Sequence, residues 1–263
     1  MSLADSAAFG AIREYGQAGA EPLVFIRGLP AESGNPRGVD RIIERLVVRG
    51  PARAHRVHAV GRPVNLTSAF GMAEVAELYA RLIAERFGRP VAVMGLSTGA
   101  SVALQLAVDR PELVRTLVVA AGAGRLGGRG RAIQRRYASL LAADDPRATA
   151  ELASATMNAG RLDPLVRLVS RATPTPGDAE SLLALVRAED GYNVLGRLDR
   201  VTAPTLILSG GRDVFYPPDL ARETAAQLPT AHHIQYRGRT HGGVPLQPQF
   251  SGDIASFLAA HTT

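Results

Sequence analysis

Cysteine is absent from this 263-residue chain, and lysine is absent too, so that all 30 basic side chains are arginine. Without cysteine there is no disulfide, no thiolate metal site and no thiol nucleophile. The missing lysine, beside abundant alanine, glycine and valine, reads as the bias of a GC-rich genome rather than a specification for binding. Long apolar runs are also missing. The first residues, "MSLADSAAFGAIREYGQAG", hold no sustained hydrophobic stretch, and no later segment is apolar for the length of a membrane span. The expectation is a cytoplasmic protein with no membrane span. The six histidines are not spaced as metal ligands with one another or with carboxylates, so neither a metal nor a cofactor is expected.

What is present fits a soluble globular chain, with 46% apolar and 21% charged residues. The net charge of +6 is spread along the sequence, except in "RLGGRGRAIQRR" from Arg125 to Arg136. Such a cluster could serve anionic ligands or nucleic acid. No nucleic-acid-binding motif accompanies it, so it reads as a solvated loop and helix face, and no nucleic-acid partner is expected. "GAGRLGGRG" follows a strand but leads into this arginine-rich stretch, not into a dinucleotide unit.

Short β-prone runs alternate with helical patterns, as in a parallel sheet flanked by helices. Strands are expected at 22–27, 54–60, 90–94, 115–121, 204–210 and 232–237, and helices at about 38–48, 72–87, 98–109, 218–227 and 247–260. In the second helix Ala76, Tyr79, Ala80 and Ile83 space an apolar stripe, which Gly88 and Pro90 then stop. Residues 125 to about 190 break the alternation, reading as short helices joined by Pro, Gly and Asp turns. The expected architecture is therefore one α/β domain over 1–263, a mostly parallel, doubly wound sheet with a helical lid inserted at about 125–190.

One stretch, "PVAVMGLSTGASVALQLAVDRPEL", carries the chemistry. A buried strand passes into a helix through Gly95-Leu96-Ser97-Thr98-Gly99. Ordinary turn chemistry would connect the two more easily. A serine held in a tight, strained turn needs Gly two residues to either side, where side chains would collide. The same turn sets Ser97 at a helix N-terminus, where free N–H groups favour developing negative charge. A serine hydroxyl also needs a base, and the base needs a carboxylate to orient it. In this architecture they follow in the order serine, acid, histidine, each just beyond a strand. "PTLILSGGRDVFYPP" delivers Asp213 and "HHIQYRGRTHGGVP" delivers His241. Asp199 precedes its strand, and His232 and His233 begin one, so all three fall at the wrong edge of the sheet.

These segments resemble the α/β-hydrolase fold superfamily, in its lid-bearing branch of small esterase- and lipase-like enzymes. The likeness covers nearly all of the chain outside the insertion. "PLVFIRGLP" is similar to the family's oxyanion segment, "GLSTGASVALQLAVDRPELVRTLVV" to its elbow and following strand, "APTLILSGGRDVFYPP" to its acid loop, and "GRTHGG" to its histidine loop. The resemblance implies Ser97 as nucleophile, His241 as general base and acid, and Asp213 as the group that orients His241. It also implies an oxyanion hole from the backbone N–H groups of Leu29 and Thr98. Two positions depart from the pattern: Arg27 stands where the family usually has histidine, and Leu96 where it often has histidine.

A serine at the elbow forms an acyl-enzyme, so the substrate is expected to be a small molecule offering a carbonyl: an ester, thioester, lactone, amide or cleavable ketone. Relatives that open epoxides or displace halide use aspartate there instead. A biosynthetic acyltransferase or cyclase, a C–C bond hydrolase, and a non-catalytic binding protein of the same fold are the competing readings. Tyr137, Leu140, Leu141, Met157, Leu162, Leu165 and Leu168 are candidates either to line a pocket under the lid or to pack the lid on the core. Phe215 and Tyr216 are candidates for the pocket rim.

Overall fold

Strands covered by helices on both faces must be apolar on both, and the central strands of this chain are. The computed structural model describes residues 8–29, 34–158, 160, 163–171 and 178–261. Its seven strands are β1 (Ile12–Tyr15), β2 (Glu21–Ile26), β3 (His55–Val60), β4 (Val91–Leu96), β5 (Val114–Ala120), β6 (Thr205–Gly210) and β7 (Ala231–Tyr236). They form one sheet in the order β1-β3-β2-β4-β5-β6-β7. All pairings are parallel except β1 with β3, which is antiparallel.

Side chains alternate across the sheet, as a period of two requires. Val24, Ile26, Val91, Val93, Val119 and Ile207 enter one apolar layer, together with α2 (Met72–Phe87) and α3 (Thr98–Asp109). Leu23, Phe25, Ala92, Met94, Val118, Leu206 and Leu208 enter the other, against α1 (Gly38–Val48) and α9 (Phe250–Ala260). The sheet is thus doubly wound, and α8 (Pro218–Gln227) connects β6 to β7.

The expected strands are found within one or two residues of their bounds, and α1, α2, α3 and α8 keep the bounds expected of them. The last helix begins at Phe250, not at 247. Strand β1 was not anticipated. Its four residues, Ile-Arg-Glu-Tyr, are largely polar, and only antiparallel pairing with β3 makes them a strand. A short, charged edge of this kind also discourages pairing with other chains.

Between β5 and β6 the chain leaves the sheet and returns. Arg125 bridges Asn193, and the Val194 N–H donates to the Gly124 carbonyl (2.8 Å), which closes the base of the excursion. Within it run α4 (Gly128–Ala142), α5 (Ala148–Met157), α6 (Asp163–Arg171) and α7 (Ala179–Asp190). The arginine cluster pairs with acids nearby: Arg131 and Arg135 with Asp190, Arg136 with Glu151, and Arg125 with Glu223. Among the described residues no helix is long and apolar enough to cross a membrane.

Burial on this scaffold has measurable consequences. Leu206 is fully buried, whereas Val39 on α1 is 59% exposed. Leu206→Ala is expected to destabilise by about 2–5 kcal/mol, and Val39→Ser by no more than about 0.5 kcal/mol. Urea unfolding with an unchanged denaturant slope is the measurement.

His55, buried at the start of β3, supplies a pH dependence. Desolvation first, and Arg115 second, push its pKa below the ordinary histidine value, against the opposing pull of Glu21 and the Pro51 carbonyl. The folded protein therefore takes up this proton less readily than the unfolded chain. The stability carried by the neutral ring is complete above the unfolded pKa of about 6.5. It is lost as pH falls through the lower folded value. Unfolding free energy should fall more steeply between about pH 7 and 5 in the native protein than in His55→Gln, as equilibrium unfolding at each pH will show.

Candidate active site

The site is assembled where the backbone of β4 turns into α3. Ser97 has φ 57° and ψ −125°, a left-handed conformation that a non-glycine residue adopts only under constraint. The constraint is close packing of three backbone segments. A Cβ on Gly95 would collide with the Gly99 carbonyl oxygen and lie 2.5 Å from the Ala100 Cα. A Cβ on Gly99 would collide with the Ile26 carbonyl oxygen and lie 2.7 Å from that of Arg27. The Ser97 N–H is anchored on the Ala120 carbonyl of β5 at 2.9 Å. With its backbone held from both sides, Ser97 stands at the carboxyl edge of the sheet.

That edge is also where strand order reverses. β2 and β4 are neighbours, yet β2 leads to β3 on one side and β4 to β5 on the other. Loops leaving adjacent strands in opposite directions open a crevice, the usual ligand site of such sheets. The segment after β2 lies directly against the elbow: a Cβ on Gly28 would come within 2.8 Å of the Ser97 Cβ. Leu29 follows Gly28, and Thr98 is the first residue of α3, whose N–H has no partner one turn earlier in the helix. Both expected oxyanion donors therefore belong to segments that meet at Ser97.

Loops after β6 and β7 bring the other two side chains. Ser97 Oγ lies 2.8 Å from His241 Nε2, and His241 Nδ1 lies 2.8 Å from Asp213 Oδ2. An ionised carboxylate only accepts, so Nδ1 carries the hydrogen and the Nε2 lone pair faces the serine hydroxyl. The other carboxylate oxygen, Oδ1, accepts from the backbone N–H groups of Phe215 (2.8 Å) and Tyr216 (3.0 Å). Both side chains are nearly buried, Asp213 at 4% and His241 at 6% exposure. The loops are also tied to each other, since Gly211 N–H donates to the Tyr236 carbonyl and Arg212 N–H to that of Arg239.

Phe215 and Tyr216 do not form a rim. They are buried against the imidazole, with ring centroids 4.7 Å and 5.9 Å from His241. Around them pack Tyr137, Leu140 and Leu141 of α4, so these residues join the insertion to the acid loop. Met157 at the end of α5 reaches the histidine loop, and the Gly242 N–H donates to the Thr156 carbonyl at 3.0 Å. Leu165 and Leu168 on α6 face solvent at 57% and 65% exposure, and Leu162 lies outside the described residues.

Asp199 sits in a turn that precedes β6, and His232 and His233 sit at the amino end of β7, away from this edge. Arg27, in place of the family's histidine, is buried and donates to Glu44 of α1 (3.4 Å) and to the Gly34 carbonyl (3.1 Å). Burial lowers its pKa to about 10, which leaves it charged at neutral pH. Its charge thus ties the end of β2 to α1 and to the chain beyond Gly28.

Glu189 was missed in the sequence. It is fully buried near the end of α7 and accepts from Thr98 Oγ1 (2.7 Å), Ser101 Oγ (2.9 Å), Gln134 Nε2 (2.7 Å) and Tyr216 OH (2.6 Å). Its only local sign was the acidic end of "LVRAED", which reads equally well as the polar end of a helix.

Residues 23–250 match the model of the alpha/beta hydrolase family, and the chain belongs to that family. RutD of Klebsiella variicola (strain At-22), provisionally named a carbamate hydrolase, is 31% identical over 176 residues, 65% of this chain and 66% of the relative. The chain thus spans just under two thirds of that relative's length. RutD of Escherichia coli O1:K1 / APEC, named in the same way, is 29% identical over 212 residues, 75% of this chain and 77% of its own. In fold the chain is similar to the enol-lactonase of Burkholderia xenovorans LB400, with a TM-score of 0.80 at 17% identity, covering 95% of this chain and 96% of that one.

The elbow's packing makes its own prediction. Gly95→Ala places a Cβ inside the backbone of α3, where relief requires the elbow to open. The expected result is a loss of stability of at least about 1–3 kcal/mol, the usual cost of overpacking. Ala100→Gly, which adds nothing to the crossing, should cost about 1 kcal/mol from helix propensity and roughly 0.8 kcal/mol more from the loss of its buried methyl. Thermal and urea unfolding of the two variants will compare them.

Proposed function

We propose that this chain is a serine hydrolase that cleaves a carboxylic ester or a related acyl bond, such as a thioester, lactone or amide, through an acyl-enzyme. The observation that carries the proposal is the unbroken chain of two 2.8 Å contacts from Ser97 Oγ through His241 to Asp213, with the serine in a strained turn. Ser97 Oγ attacks the substrate carbonyl as His241 Nε2 takes its proton. Asp213 accepts from Nδ1–H throughout, and so holds the tautomer and stabilises the imidazolium. The N–H groups of Leu29 and Thr98 receive the developing oxyanion; loss of one such donor typically lowers turnover by about 100- to 1000-fold. His241 then protonates the leaving group, which departs. A water attacks the acyl-enzyme with His241 as base, and Ser97 is released.

The helices between β5 and β6 act in this reading as a lid. Their ends meet the histidine loop at Gly242 and the acid loop at Phe215 and Tyr216, so they wall the carboxyl edge beside Ser97. The substrate is a small acyl compound. The similarity to RutD favours including carbamates, whose carbonyl carbon is open to the same attack.

Hydrolysis of short p-nitrophenyl esters and labelling by a fluorophosphonate test the proposal. Wild-type protein should do both, and Ser97→Ala neither; labelling that survives the change would place the nucleophile elsewhere. Asp213→Asn should fold normally and lose up to about 10,000-fold in turnover, because the imidazole tautomer is no longer held.

A further inference from the structure

We infer that Glu189 is a positioning residue for the reaction, acting through Thr98 and Tyr216; this rests on the serine hydrolase reading above. Its carboxylate is fully buried, and every partner it bonds is a neutral donor. Among the described residues no cation pairs with it. A buried carboxylate without a countercharge is costly unless its hydrogen bonds are complete, and here both oxygens accept two. Because an ionised carboxylate can only accept, all four partners must turn their hydrogens toward one point. Bonds to a charged acceptor are also roughly twice as strong as neutral ones.

Two of those partners carry backbone groups of the site. Thr98 supplies the expected oxyanion N–H beside the nucleophile, and its hydroxyl is held by Glu189 at 2.7 Å. Tyr216 is held at both ends. Its backbone N–H donates to Asp213 Oδ1 at 3.0 Å, its hydroxyl donates to Glu189 at 2.6 Å, and its ring stacks on His241. Glu189 thus joins the start of α3 to the acid loop from a helix of the insertion, beside the direct 2.9 Å contact of Ser101 Oγ with Tyr216 OH. Gln134, from another insertion helix, donates to the same carboxylate. The position also suits the charge, since an anion at the first turn of α3 is stabilised by that helix's N-terminus.

Glu189→Gln tests the role while keeping the shape. Gln134 can turn so that its Oε1, which has no partner among the described residues, accepts from the new amide, and its own Nε2 then takes the place Oε1 had. Fluorophosphonate labelling counts competent sites, and turnover is expressed per labelled site. Glu189→Gln should lower kcat by about 10- to 100-fold, less than outright removal of an oxyanion donor, while KM changes less than about threefold. The double variant with Thr98→Val should lose little beyond the larger single effect, because both act on one contact. A purely structural carboxylate would instead reduce the number of labelled sites and leave kcat per site within about twofold of wild type, which overturns the inference. Should Glu189→Gln fail to fold, Thr98→Val and Tyr216→Phe each remove one bond to Glu189, and wild-type kcat in both would overturn it equally. Wild type that is not labelled at all would defeat the serine reading and this inference together; labelled wild type with unchanged Glu189→Gln turnover would defeat this inference alone.

Discussion

Backbone meets backbone at the start of α3 with no room for a Cβ. Gly95 lies against Gly99 and Ala100, Gly99 against the end of β2, and Gly28 against Ser97. This crossing turns Ser97 into a strained conformation and draws the segment after β2 beneath it. It is possible only because β2 and β4 are parallel neighbours that end at the same edge. The strain is local, but what holds it is global: the turn is clamped by β2 on one side and by the Ala120 carbonyl of β5 on the other. A flexible loop could not keep a serine in that conformation.

Around that fixed point the polar groups are arranged so that each buried charge is used on more than one side. Asp213 turns one oxygen to His241 and the other to two backbone N–H groups. Those N–H groups belong to Phe215 and Tyr216, whose rings then cover the imidazole. The aromatic pair is thus both the support of the carboxylate and the apolar wall that limits water around it. On the far side of Tyr216 stands a second buried carboxylate, Glu189. The insertion is consequently part of what supports this edge of the sheet. It contributes the apolar residues that bury the acid loop and the polar cluster that reaches the elbow helix.

Arg27 shows how a departure from a family pattern can be absorbed. A buried guanidinium at the end of β2 would be unfavourable alone. Here Glu44 of α1 accepts from it, and Arg13 and Tyr15 of β1 converge on the same carboxylate. The unanticipated edge strand is therefore linked to this departure: β1 delivers two of the groups that accompany the buried Arg27–Glu44 pair.

Most of the sheet was legible in the chain itself, because two covered faces demand unbroken apolar runs such as Val91–Met94 and Leu206–Leu208, and glycines mark where they end. The elbow was legible for the same local reason: a serine between Gly95 and Gly99, straight after such a run, suits a sharp strand-to-helix turn and little else. Asp213 and His241 could be chosen over Asp199, His232 and His233 because the carboxyl ends of parallel strands share one edge. β1 could not be read, since its polar residues become a strand only through pairing with β3. Nor could the roles of Phe215 and Tyr216, or of Glu189. Local sequence sets the period, the turns and the ends of each element, and these determined the sheet and the three residues at its edge. Which buried polar groups meet across 91 residues, as Thr98 and Glu189 do, depends on how the insertion packs back onto the sheet, and only tertiary contacts decide that.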